Sequence, residues 1–285
     1  MTSSADRLDS LNDKRVVRIH PGARSWSETL TELLEHRELL YFLTWRDVKV
    51  RYKQTVLGTA WAVLQPLTMM VIFSLFFGRL AKMPSNGVSY PLFALAALVP
   101  WQFFAHSLGE SSNSLVQNER LVTKTYLPRL ILPMSSLGSG LLDFAISFAL
   151  LLTLVLIGGI VPGLTALTIP LFLLLATVTA LGLGLWLAAL NVQYRDVRYT
   201  LAFLTQIWLF MTPIAYPSSL VPARWQAVYG LNPMAGVVEG FRWALLGTPT
   251  PSFRLLGASS SGAVLLLISG FWYFRRMERT FADTI

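Results

Sequence analysis

Residues 43–67 read LTWRDVKVRYKQTVLGTAWAVLQPL. Arg46, Lys49, Arg51 and Lys53 crowd its first half, and no charged residue occurs from Thr55 to Gly78. The hydrocarbon core of a bilayer is about 30 Å thick and a helix rises about 1.5 Å per residue, so this run is long enough to cross it. Basic residues beside a span mark the side that stays cytoplasmic. The stretch therefore predicts an all-α integral membrane protein.

Composition agrees. Of the 285 residues 54% are apolar and 13% charged, whereas a soluble domain carries about a quarter charged residues. The formal net charge of +8 lies beside the apolar runs, where it sets topology and meets anionic headgroups rather than nucleic acid. There is no cysteine, and His20, His36 and His106 share no ligand spacing, so no metal site is expected. No Gly-rich loop ending in Lys-Ser/Thr and no hydrolase pattern occurs. The chain is thus expected to hold no ATP and to be no enzyme, with no cofactor of its own. The polar start lacks a short apolar core followed by a small-residue cleavage site and does not read as a signal peptide.

Six spans are expected, at about 56–78, 90–108, 134–160, 164–190, 200–216 and 256–274. They divide the chain into a cytoplasmic region 1–55, a membrane domain 56–274 and a cytoplasmic tail 275–285. With both termini inside, 18 of the 23 Lys and Arg fall on the cytoplasmic side. The other five, Arg79, Lys82, Arg224, Arg242 and Arg254, fall outside.

Before the first span Leu30, Leu33, Leu34, Leu40 and Tyr41 fall near helical spacing, with Glu28, Glu32, Glu35 and Glu38 mostly elsewhere on the wheel. This predicts an amphipathic interface helix anchored by Trp45 and Tyr52, or alternatively a short helix packed on the protein's own loops. The four basic residues that follow would meet an anionic headgroup. Segment 217–254 is too polar to span and too apolar for a plain loop, and Pro217, Pro222, Gly230, Pro233, Gly236, Gly240 and Gly247 break it. It predicts two short re-entrant helices on the external side, about 221–229 and 233–246, at a depth where Glu239 and Arg242 need partners or water. An ordered external cap is the alternative. Asp143 lies roughly 14 Å into the third span and stands alone among the spans without a basic partner. It reads as a hydrogen-bonding group near Ser139 or Ser147, or else as a proton carrier.

The cytoplasmic segment 111–133 is longer than a minimal connector. Asn118, Glu119 and Arg120 lead into Leu121 and Val122, then Lys124 and Tyr126, which suits a short helix offered to a partner, with interfacial packing as the alternative.

Six motifs in order carry a family resemblance: RDVKVRYKQTVLGTAWAVLQPL, VPWQFF (99–104), ERLVTKTYLPRLILP (119–133), NVQYRDVRY (191–199), TPIAYP (212–217) and LNPMAGVVEGFRWALLG (231–247). From about Leu30 to Ile285 the chain resembles the membrane subunit of type-2 ABC exporters of polysaccharides such as lipid-linked O-antigen, teichoic acid and capsule. The resemblance implies a homodimer in the bacterial inner membrane with two nucleotide-binding subunits, which hold ATP and Mg, and a channel along the dimer axis. It implies that Asn118, Glu119, Arg120, Leu121, Val122, Lys124 and Tyr126 form the coupling helix. It also places Tyr194, Arg195 and Asp196 near the entrance and two gate helices before the last span. A glycan path should combine aromatic rings with uncharged polar groups. Its candidates here are Trp61, Gln65, Trp101, Phe104, Gln206, Trp208, Tyr216, Phe241 and Trp243. An exporter of drugs or small lipids is the nearest alternative. A proton-coupled transporter using Asp143 is a further one, although no inverted repeat is visible.

Overall fold

Several helices of this chain begin or end at Pro, Gly or a capping side chain: Pro91 and Pro170 stand in first turns, and Asn232 and Ser252 cap N-termini. The computed structural model describes residues 31, 33–53, 60–125, 127–194, 196–222 and 224–281, and among them every regular element is helical. The elements are α1 (Arg37–Lys53), α2 (Ala60–Phe73, continued by a π-helical turn Ser74–Leu80), α3 (Tyr90–Gln117) and α4 (Glu119–Lys124). Then come α5 (Ile131–Ile157), α6 (Ile169–Gln193, led in by a 3-10 turn Leu164–Thr168), α7 (Val197–Met211) and α8 (Gln226–Tyr229). The last are α9 (Pro233–Leu246) and α10 (Phe253–Met277).

Five of these are long and apolar enough to cross a membrane: Ala60–Leu80, Tyr90–Gln117, Ile131–Ile157, Leu164–Gln193 and Phe253–Met277. The run expected at 200–216 behaves differently. α7 has 15 residues and stops at Met211, a length of about 22 Å at helical rise, short of the bilayer core. Pro213 and Pro217 end it, and Thr212 to Ala215 continue as buried non-helical chain. The second span runs past its expected end to Gln117, because Ser111, Ser112 and Ser114 are small enough to pack buried between helices. The connector therefore starts at Asn118 rather than residue 111. Of the two short helices expected in 217–254, the first is a single turn, α8, and the second is α9. Leu30, Glu28 and Glu32 lie outside the described residues, and α1 runs on through the basic residues to Lys53. Its Tyr41, Phe42 and Trp45 are exposed, while Leu43 and Val48 are buried.

α3 is the central element. Its most apolar window is 78% buried against 11% for α2, and it packs on α2, α5, α6, α7 and α9. α6 packs on α10 as closely as on α3, through glycine. A Cβ on Gly270 would lie 2.1 Å from the Gly182 carbonyl oxygen, so only glycine lets these backbones meet. α9 starts on Asn232, whose Oδ1 accepts from the Met234 amide at 3.1 Å ahead of Pro233 in the first turn. It stops at Gly247, whose φ of +65° is the left-handed value favoured after a helix.

Candidate functional site: two cavities and a buried arginine

The C-terminal half of α1 lies along α5. Thr44 Oγ1 donates to the Ser135 carbonyl at 3.3 Å, and a Cβ on Gly138 would be 2.5 Å from Thr44 Cγ2, so glycine is needed for this approach. Arg51 Nη1 then lies 2.7 Å from Asp143 Oδ2, and the Tyr52 hydroxyl donates to Asp143 Oδ1. Burial, and then the bond to this carboxylate, push the Tyr52 phenol up. Arg51 Nη1 also donates to His106 Nε2 on α3 at 2.5 Å. Asp143 is thus not without a basic partner. The partner comes from α1, outside the spans, while Ser139 and Ser147 donate instead to the carbonyls of Ser136 and Ala62.

Two cavities adjoin this cluster. The outer, about 570 Å³, is walled by Arg46, Asp47, Arg51, His106, Glu110 and Asn118, among others. The inner, about 280 Å³, is walled by Trp61, Gln65, Trp101, Gln102, Asp143 and Phe144, with Arg51 and His106 shared between the two. Of the candidate path residues the inner cavity gathers Trp61, Gln65 and Trp101. Phe104 is fully buried behind them, 5.4 Å from Trp101 and 5.1 Å from Trp208 between ring centroids. Gln206 is exposed on α7. Phe241 was expected to line the lumen or gate, but it has no exposed surface and packs on Phe144 and Phe148 in the protomer core. Trp243 is half-buried against Phe172.

Of the basic entrance residues, Arg46 pairs with Asp47 at 2.7 Å, Lys49 lies 5.4 Å over the Trp45 ring, and Lys53 is exposed. Tyr194 and Asp196, in the α6–α7 connection, line neither cavity. Arg195 and Tyr126 lie outside the described residues. On α4, Glu119, Arg120 and Lys124 point to solvent, Leu121 is half-buried, and Val122 packs inward with 5% exposure. Asn118 caps the end of α3, donating from Nδ2 to the Ser114 carbonyl at 2.8 Å. Beyond α4, Arg129 donates to the Glu278 carbonyl at the end of α10 and lies 5.9 Å over the Phe281 ring.

The α7–α10 region is organised by a buried arginine. Arg242 has no exposed surface. It donates to the carbonyls of Phe93 at 3.1 Å, Pro213 at 2.5 Å and Ile214 at 2.7 Å, and pairs with Glu239 at 3.1 Å. Glu239 also accepts from the Ser218 amide at 3.0 Å. The backbone that two prolines free from helical bonding is thereby satisfied from α9. Around it Tyr216 and Tyr229 share a bond of 3.0 Å, Trp208 donates to Asn232 at 2.9 Å and Tyr90 to the Ala215 carbonyl at 2.7 Å. His106 and Gln102 join these sites without having stood out as site residues in the sequence, and Tyr52, expected to anchor an interface helix, bonds Asp143 instead; the amide among the rings of VPWQFF is the signal that could have found Gln102. Among the described residues no group of three His, Cys, Asp or Glu could hold a metal ion.

Comparison with known proteins supplies the remaining constraint. A model of the ABC-2 type transporter family matches residues 38–246. The O-antigen export system permease protein RfbA of Myxococcus xanthus is 30% identical over 257 residues, 89% of this chain and 98% of the relative. RfbA of Klebsiella pneumoniae is 26% identical over 87% of this chain and 95% of its own length. The polysialic acid transport protein KpsM of Escherichia coli is 25% identical over 70% and 78%.

Proposed function

The chain belongs to the ABC-2 type transporter family, and we propose that it forms the membrane path of an ATP-driven exporter that moves a lipid-linked polysaccharide across the bacterial cytoplasmic membrane. As a permease subunit it has no ATPase activity of its own. In this reading it works as a homodimer with two nucleotide-binding subunits, both termini face the cytoplasm, and the outer cavity opens on that side. α7 together with 212–217 makes the fifth of six crossings, 217–254 forms the external gate, and α4 docks on the ATPase through Glu119, Arg120 and Lys124.

The observation that carries the reading is the inner cavity. It joins two indole rings to two amides and a carboxylate, on a chain whose relatives are named for O-antigen export and polysialic acid transport. Rings stack on the C–H faces of sugars, and amides and carboxylates exchange hydrogen bonds with their hydroxyls. Nothing comparable singles out Asp143 as a proton carrier, since a guanidinium already matches it.

Reconstitution with the partner ATPase tests this. Lipid-linked glycans added to proteoliposomes are expected to stimulate hydrolysis and to appear across the bilayer. Stimulation by small amphipathic drugs or single lipids, with none by glycan-bearing lipids, would replace the substrate class.

A further inference from the structure

Among the described residues Arg51 and His106 alone line both cavities, so they form the partition between them. Arg51 is held there from one side by Asp143 and from the other by His106. Its backbone belongs to α1, which is seated on α5 through Thr44 against Gly138. We propose that the Arg51–Asp143 pair, with Tyr52, is a latch that holds α1 against α5 and keeps the two cavities apart, and that its release joins them into one passage.

The contrast with the other ion pair at membrane depth supports a movable role. Arg242 and Glu239 are sealed among carbonyls, with side chains 0% and 5% exposed, and cannot separate without leaving buried charge. The Arg51 and Asp143 side chains are 40% and 16% exposed. A pair that is only partly buried costs less to part than a sealed one, and His106 already shares the guanidinium and can keep it when Asp143 lets go. One pair is built to stay closed and the other can cycle. The transport part of this inference rests on the function and orientation proposed above; the latch itself does not.

The chain contains no cysteine, which allows a direct test. A Cβ on Gly138 would lie 3.3 Å from Thr44 Cβ, close to disulfide spacing. In the variant Thr44→Cys/Gly138→Cys, oxidation should lock α1 on α5, stop export by the reconstituted complex while ATP hydrolysis continues, and be reversed by dithiothreitol. The single variants should be insensitive to oxidant. Export at the reduced rate from a sample shown by thiol titration to be oxidised overturns the proposal. A second measurement needs neither substrate nor ATPase. Gln102 lines the inner cavity and not the outer, so Gln102→Cys reports access by a membrane-impermeant maleimide from the outer-cavity side. If the latch is closed about nine-tenths of the time, Asp143→Asn should speed labelling about tenfold, and the oxidised Thr44→Cys/Gly138→Cys pair in the same chain should suppress the gain. Unchanged labelling in Asp143→Asn overturns the latch whatever the exported substrate proves to be.

Discussion

Replacing Arg242 by methionine removes the cation that satisfies the broken backbone between α7 and α9. Arg242 holds three carbonyls and Glu239 within 2.5 to 3.1 Å, and its guanidinium carbon lies 3.4 Å over the Phe93 ring. Each hydrogen bond to a charged group is worth about 1.5–3 kcal/mol net, but four that share one guanidinium do not add. The governing cost is breaking a buried pair from one side, about 3–5 kcal/mol. A chain of this size shifts by roughly 2–4 °C per kcal/mol, which makes the expected fall in Tm about 10 °C. Tryptophan emission of the protein in nanodiscs reads it, since Trp208 donates to Asn232 beside the affected segment. The double variant Glu239→Gln/Arg242→Met leaves no orphaned carboxylate and should lose less. A Tm within about 2 °C of wild type for the single variant would refute the account. Equal losses in the single and double variants would show that the carbonyls, not the charge, set the cost.

Four further outcomes follow from the packing. Phe241→Ala should cost about 3–5 kcal/mol by opening a cavity under Phe144 and Phe148; a selective rise in ion conductance at unchanged Tm would return this ring to the lumen. Gly270→Ala places a methyl 2.1 Å from the Gly182 carbonyl oxygen and should abolish monodisperse protein on size-exclusion chromatography, whereas wild-type yield would show that α6 and α10 can part freely. Arg120→Glu/Lys124→Glu reverses the exposed face of α4 and should reduce ATPase co-purification at least about tenfold, since like-charge juxtaposition costs several kcal/mol. Val122→Ala should instead lower stability, because Val122 faces inward, and normal co-purification of the charge-reversed protein would move the docking face elsewhere.

The helical class and the positions of the long apolar helices were legible because lipid forces both: a bilayer demands length and internal backbone satisfaction, and each shows as a run without charge. α9 was legible for a related reason, since Asn232, Pro233 and Gly247 are strong local signals at its two ends. Which side of a membrane helix faces protein is a different matter. Lipid is as apolar as a core, so Phe241 in the interior and Trp61 at 55% exposure carry the same signature in sequence. Long-range pairing was equally hidden. Asp143 looked unpartnered because its guanidinium is contributed by α1, and Arg242 was counted with the external charges although its acceptors are backbone carbonyls, which no sequence pattern displays.

That count changes once the structure is known, and so does the problem the membrane has to solve. Without Arg242 the side expected to be external keeps Arg79, Lys82, Arg224 and Arg254, all exposed, so the asymmetry behind the proposed orientation grows rather than shrinks. What is left to explain is how a chain buries Asp143 and Arg242 without stranding either charge. The order of partners answers it. Arg51 and Tyr52, which receive Asp143, precede it in the chain, and so do Phe93, Pro213, Ile214 and Glu239, which receive Arg242. Synthesis runs from the N-terminus, so each costly charge emerges after the groups that accept it have been made. The reverse order would leave either charge without its acceptors until they arrived, which costs most where water is excluded.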